Sequence, residues 1–369
     1  MPGAAQAQEL TVYSSLPLSG AARGQTRAIN DGARQALKEA GPAPAGGRAV
    51  RLVTLNEATR RAGNWVPERV AQNARRAARD DGAIAWIGSF NSGASAVSIP
   101  ILNEAAIAMI SPSNTAIGLT TDGPGTSPGE PEKYYPVGLE ARNYFRIIPN
   151  DKVQAAALAT AMRDRGCKQV VSVTDRDLYG RGVGTLVRQD AARLGLQVLR
   201  TVRIGQRTRS FGRIRGADCV VYTGVTDNGA VRMFRSVGAR LRNAQLFASD
   251  GVAESGFTRR LPASIARRVT VTVATLAPDA YPGGAAVIGS GDPYKLYGYE
   301  AMKLILDGLN AGGPTKEGLL GYLRTGVQNR QSVLGTYSLD ANGDTTLRTY
   351  GLYGIQRKQL VWIGVINAG

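Results

Sequence analysis

Short apolar runs and amphipathic stretches alternate along almost the whole chain, and that alternation leaves few folds open. Leu10–Leu16 reads as a strand, and Pro17-Leu-Ser-Gly20 as the turn after it. The next stretch sets Ile29, Ala33, Ala36, Leu37 and Ala40 at a spacing near the 3.6-residue period of a helix. Gly41-Pro42 stops that helix. Strands at 50–55, 83–87 and 106–110 then alternate with helices at 65–79 and 92–104. This βαβα order calls for a parallel sheet covered by helices on both faces.

The segment 120–142 carries Asp-Gly-Pro-Gly, Ser-Pro-Gly and Glu-Pro signals and reads as a long loop, with Tyr134 and Tyr135 as packing anchors. A short strand at 143–148 leads out of the first series. A second series follows, with strands at 169–174, 197–204, 219–223, 244–248 and 269–275. Helices fit at 151–165, 180–194, 227–239 and 254–261. The Gly/Pro-rich stretch 278–290 reads as a return crossing, before helices at 293–309 and 315–325. Strands are expected at 335–339, 348–355 and 360–365, with Asp340-Ala-Asn-Gly343-Asp344 as their hairpin turn.

A chain of 369 residues is too long for one simple core. The fold class is α/β, with two doubly wound parallel-sheet lobes joined by a multi-strand hinge. The expected division gives 9–147 and 278–332 to the first lobe, and 148–277 and 333–369 to the second.

Composition removes several function classes. There is no histidine, so a Ser-His-Asp or Cys-His arrangement and the commonest metal ligand are both absent. The two cysteines form no C-x-x-C pair, and neither a metal nor a cofactor is expected. The formal charge is +17, yet basic residues occur only as scattered pairs such as Arg60-Arg61 and Arg267-Arg268. With no basic run and no interleaved aromatics, nucleic acid is not the expected partner. The basic surface does suit peripheral association with anionic membrane or cell-wall polymers. No run of eighteen apolar residues exists to span a membrane. Met1-Pro2-Gly3-Ala4 and the small, polar tether up to Gln8 suggest that an export signal has been removed.

Chemistry concentrates where strands run into helices. The segment from Ile87 to Ser95 leads a buried strand into Ser92, an N-cap candidate whose helix end could hold a carboxylate or simply be capped. The next strand ends in Ser113, Asn114 and Thr115, which would face the same crevice outside the strand ends. In the second series, Tyr179 could lay its ring and hydroxyl on a ligand. Asp250 could hold an ammonium group or cap the helix after it.

Pro17-Leu-Ser-Gly20, Asn30-Asp-Gly-Ala33, Ile87-Gly-Ser, Met109-Ile-Ser-Pro112, Leu178-Tyr-Gly180, Ser249-Asp-Gly251, Tyr299-Glu-Ala301 and Asp340-Ala-Asn-Gly-Asp344 occur in a specific order. In that order the chain resembles the leucine/isoleucine/valine-binding family, the type I periplasmic binding proteins, from Leu10 to Val365. The resemblance implies an extracytoplasmic solute-binding subunit of an ABC importer, which serves permease subunits and catalyses nothing. It implies that Ser92 binds the ligand carboxylate and that Ser113, Asn114 and Thr115 supply backbone and hydroxyl contacts. It further implies that Tyr179 covers the ligand and Asp250 holds its α-ammonium. Arg23 and Val225 stand where the family carries aromatics, so leucine is not carried over as the ligand. An amino-acid-like molecule and a monomeric protein are expected.

In this fold the strands that begin after Cys167 and at Cys219 should be neighbours, and an exported protein would allow a disulfide between them. The same fold also serves ligand-sensing ectodomains of receptors and regulators. No helix-turn-helix precedes Leu10, which argues against a DNA-binding repressor, and no carboxylate or Ser-Lys constellation favours an enzyme.

Overall fold

The computed structural model describes residues 9–289 and 291–367. The expected tether up to Gln8, together with Ser290 and the last two residues, lies outside them.

The first sheet has five parallel strands: β1 (Leu10–Leu16), β2 (Val50–Asn56), β3 (Ala83–Gly88), β4 (Ala108–Ser111) and β5 (Tyr144–Arg146). Their order in the sheet is β2-β1-β3-β4-β5. Every residue of β1 and β3 is buried, as befits strands covered on both faces. The helices between them are α1 (Arg23–Glu39), α2 (Pro67–Ala78) and α3 (Ser92–Glu104). Pro67 occupies the first turn of α2, where its missing N–H costs nothing.

The second lobe repeats the wiring. Helix α4 (Asp151–Asp164), capped by the Asn150 side chain on the Lys152 N–H, leads to β6 (Gln169–Thr174), α5 (Leu178–Arg193), β7 (Gln197–Arg203) and β8 (Cys219–Thr223). Then come α6 (Ala230–Arg240), β9 (Gln245–Ala248), the short helices α7 (Ser255–Thr258) and α8 (Ala263–Ala266), and β10 (Val269–Val273). The order β7-β6-β8-β9-β10 matches that of the first sheet strand for strand. Strand β7 lies at the edge, and its exposed Arg200 and Arg203 suit a strand whose backbone must not recruit another.

The chain returns to the first lobe through α9 (Gly284–Ile288), α10 (Tyr294–Ala311) and α11 (Lys316–Gly321), followed by a π-turn at Tyr322–Gly326. Helices α1 and α10 cross very closely. A Cβ on Gly32 would meet the Lys295 carbonyl, and one on Gly298 would meet the Ile29 carbonyl at 1.9 Å. Only glycine at both positions permits this contact.

Strands β11 (Arg330–Ser332) and β12 (Gly335–Tyr337) form a separate two-stranded sheet. Leu334, Tyr337 and Leu339 belong to the same core cluster as α10, and the Tyr337 hydroxyl donates to Glu300. We therefore place the third crossing after Leu347, later than the boundary expected at 332. The Asp340–Asp344 turn joins only an isolated bridge, Leu339 to Thr345. The true hairpin closes β13 (Thr349–Gln356) and β14 (Gln359–Asn367), which extend the second sheet antiparallel beside β10. Its turn residues Arg357 and Lys358 both have positive φ, the pattern of a type I′ turn.

Tyrosine hydroxyls pin the crossings to backbone carbonyls. Tyr350 donates to Pro149 at 2.9 Å, Tyr297 to Ala274 at 2.8 Å and Tyr353 to Thr275 at 3.1 Å. Cys167 and Cys219 are joined in a disulfide, with Cα atoms 5.8 Å apart. They sit at the amino-terminal ends of β6 and β8, the end of the sheet away from the cleft described next.

Candidate functional site

In each sheet the order reverses between the first and third strands of its series, and crevices open outside the carboxyl ends at such points. The two sheets aim these ends at one another. From the first lobe come the ends of β3 and β4, carrying Phe90, Asn91, Ser92, Ser113 and Thr115. From the second come Asp177, Tyr179, Val225, Asp250 and Gly251. These residues enclose one cleft of about 50 Å³, closed further by Trp65 and Tyr294. No lysine or arginine lines it.

The first wall is rich in donors. Helix α3 begins at Ser92, with Asn91 in the N-cap position, so Ser92 is the first helical residue and not the cap expected. The Ser92 hydroxyl oxygen accepts weakly from the Ala116 N–H at 3.4 Å, which leaves its own proton for a ligand. The free amides of the first helical turn add positive potential at the same place. The Ser113 hydroxyl donates to the Phe90 carbonyl at 2.9 Å. Behind Thr115 lies Asp151, whose buried carboxyl is held well above the usual carboxylate range by burial, against the opposing bond from Thr115.

The second wall offers a carboxylate. Asp250 follows β9, and its Oδ1 lies 2.6 Å from the Tyr179 hydroxyl, which also lies 3.0 Å from Gln154 Oε1. Burial pushes Asp250 up to about 6, opposed by the bonds from Tyr179 and Gln154. A nearby cation would draw it back into the ionised form. Gly251 is required beside it. A Cβ there would fall 2.5 Å from the Gly224 carbonyl and 3.0 Å from the Tyr179 ring.

Ser92, Ser113, Thr115, Tyr179, Val225 and Asp250 thus meet in one cleft, and two other expected site residues do not. Asn114 is fully buried beneath the wall. Its amide donates to the carbonyls of Ser89 and Phe90, and its Oδ1 accepts from Ser95 and Tyr144. With both ends of the amide engaged, it fixes the loop and has nothing left for a ligand. Arg23 is exposed at the start of α1. Its neighbours Ala22 and Gln25 approach the cleft instead, and Gln25 donates across to the Ala253 carbonyl at 2.9 Å.

Sequence reasoning missed three aromatics. Trp65 reaches the site because the bridge between Ala58 and Trp65 folds its loop back, and its ring packs so closely on Gly93 that a Cβ there would clash. Phe90 and Tyr294 pack against one another with ring centroids 5.6 Å apart. Three aromatics on three separate segments leave no local signal.

Further from the ligand space, Arg146 is wholly buried. It pairs with Asp344 at 2.6 Å and donates to the carbonyls of Asn114 and Ala116 and to Thr120. It thereby holds the loop that presents Ser113 and Thr115. Tyr134 and Tyr135 are buried anchors of segment 120–142, on Glu130 and the Leu119 carbonyl respectively.

The sequence of residues 14–359 matches the family model described as periplasmic binding protein. Among curated relatives, an amino acid binding protein of Pseudomonas aeruginosa is 24% identical over 344 residues, covering 87% of this chain and 83% of its own. A Leu/Ile/Val-binding protein homolog of Brucella abortus is 25% identical over 289 residues, covering 74% and 72%. Among solved structures, a leucine binding protein from Thermotoga maritima superposes with a TM-score of 0.80 at 22% identity over 97% of this chain and 99% of its own. A solute binding protein from R. palustris in complex with benzoate gives 0.75 at 18% identity, over 97% and 96%. The chain belongs to the periplasmic binding protein family, whose members are solute-binding proteins and not enzymes.

Proposed function

We propose that this protein is the extracytoplasmic solute-binding subunit of an ABC importer, that it presents an α-amino acid to its permease, and that it closes two lobes around that ligand. The observation that carries the reading is the polarity of the cleft: hydroxyl groups and a helix amino terminus on one side, Asp250 with Tyr179 on the other, and no basic side chain on either. A zwitterion satisfies both walls. In this reading Ser92 and Thr115 take the carboxylate, Ser113 braces the Phe90 carbonyl beside them, Asp250 takes the α-ammonium, and Tyr179 fixes the Asp250 carboxylate in place. Because the ligand touches both lobes, it binds the closed form better and shifts the population toward it. An aromatic acid without an amine, of the kind bound by three structural neighbours, would leave Asp250 buried without a countercharge.

A thermal-shift screen followed by calorimetry tests this. L-α-amino acids should stabilise the protein, whereas the matching deaminated acids and decarboxylated amines should not. Tighter binding of benzoate-type acids than of any amino acid would overturn the reading.

A further inference from the structure

A smaller cavity of about 30 Å³ continues from the cleft and shares Phe90, Asn91, Val225 and Asp250 with it. Its second-lobe wall adds Asp227 and Glu254. We propose that this extension receives a side-chain ammonium, so that the ligand is a diamino acid whose second nitrogen is held by Glu254 and Asp227. The inference rests on the amino-acid reading above and names the side chain that reading leaves open.

Two independent features point to a ligand here. Glu254 Oε2 is buried with no ion pair among the described residues, and the Thr226 hydroxyl is its one side-chain hydrogen-bonding neighbour. Asn91 occupies the N-cap position of α3, a place where an asparagine side chain ordinarily accepts from the helix amides. It makes no such bond, and its Oδ1 is buried without a partner on the wall of both cavities. The extension therefore presents spare acceptor capacity from both lobes. Of its three primary amides, on Gln25, Asn64 and Asn91, Gln25 Nε2 is committed to the Ala253 carbonyl.

No lysine or arginine lines the extension. Arg260 lies near enough for its charge to act on Asp227 and Glu254, yet among the described residues neither carboxylate has an ion pair. A methyl-ended side chain would strand these acceptors away from water, whereas an ammonium brings three donors and a matching charge. The volume holds about two or three water-sized centres, enough for an ammonium and too little for a ring.

Calorimetry on the intact protein compares L-lysine with L-norleucine and L-ornithine with L-norvaline, pairs that differ only in the terminal amine. The diamino acid of at least one pair should bind at least tenfold more tightly, and E254Q should shrink that ratio at least tenfold while E254D retains part of it. Equal or tighter binding of norleucine and norvaline would overturn this inference and leave the amino-acid reading standing. Failure of every L-α-amino acid to bind would overturn both.

Discussion

If Asp250 receives an ammonium, binding must be linked to its ionisation, and the size of the linkage follows from its surroundings. Burial holds the free carboxyl at about 6, against the opposing bonds from Tyr179 and Gln154. The bound ammonium favours the carboxylate and lowers that value, so binding releases a proton where the pH lies between the lowered value and about 6. Affinity must therefore fall as pH falls. Between pH 7.5 and pH 5 the ionised fraction drops about tenfold, equivalent to about 1.4 kcal/mol of binding free energy. Asp250→Asn keeps the shape and removes the charge. It should cost about 2–5 kcal/mol at pH 7.5 and flatten the pH dependence. Asp175, also raised to about 6 by burial, is the obvious confounder. Its carboxylate is occupied by the Val225 N–H and Asn228, however, and does not line the cleft. Calorimetry at the two pH values with a neutral-side-chain L-amino acid gives Glu254 no reason to ionise, and the comparison with Asp250→Asn separates Asp250 from Asp177, which also lines the cleft with its carboxylate on Asn228. Wild-type affinities within threefold of each other across that range, or an Asp250→Asn affinity within threefold of wild type, would refute the argument.

Arg146→Met should destabilise the protein by about 3–5 kcal/mol in denaturant titrations, because it strands Asp344 in the interior; a loss below 1 kcal/mol would mean that the ion pair does not hold the loop. Reduction of Cys167–Cys219, or the double serine variant, removes a cross-link spanning 52 residues and should cost about 4 kcal/mol on the chain-entropy account. Unchanged denaturation midpoints with and without reductant would contradict that account. Gly298→Val should prevent α10 from seating on α1 and lower the thermal midpoint sharply, whereas Gly24→Ala, with open space around it, should leave it in place. Equal midpoints for the two variants would show that the crossing tolerates separation.

The architecture was legible because its signals are local. Buried strands of a parallel sheet are short apolar runs, as in β1 and β8, and their helices carry a periodic face, so the lobes and the strand-end positions of Ser92, Thr115, Tyr179 and Asp250 could be read directly. What was hidden depends on which way a polar group turns. Asn114 looks like any turn amide; only the fold shows that its two ends are taken by Ser89, Phe90, Ser95 and Tyr144. Arg23 sits one residue from the segment that does reach the cleft, and a helix rotates a side chain by about 100° per residue. Arg146 and Asp344 are separated by 198 positions, and no pattern in either neighbourhood announces the partner. The same non-local pairing explains why the Asp340–Asp344 turn was read as a strand hairpin: its purpose is to deliver Asp344 to Arg146.

The charge distribution ties fold to function more tightly than any motif. Residues 151–275 hold 22 Lys and Arg against 9 Asp and Glu, most of the chain's formal +17. Yet of those nine acids, Asp177, Asp227, Asp250 and Glu254 line the cleft and its extension, and Asp151 and Asp175 lie buried close behind. The second lobe is thus basic outside and acidic where it meets the first. Desolvation alone would select against carboxylates in such a place, since every one of these six is raised above its ordinary value by burial. On the proposed reading, keeping them there would lower the stability of an empty closed form, and a ligand cation would relieve that cost. A wall that is unfavourable until a cation arrives would give the closed state its dependence on ligand, which is what the proposed capture by two lobes requires.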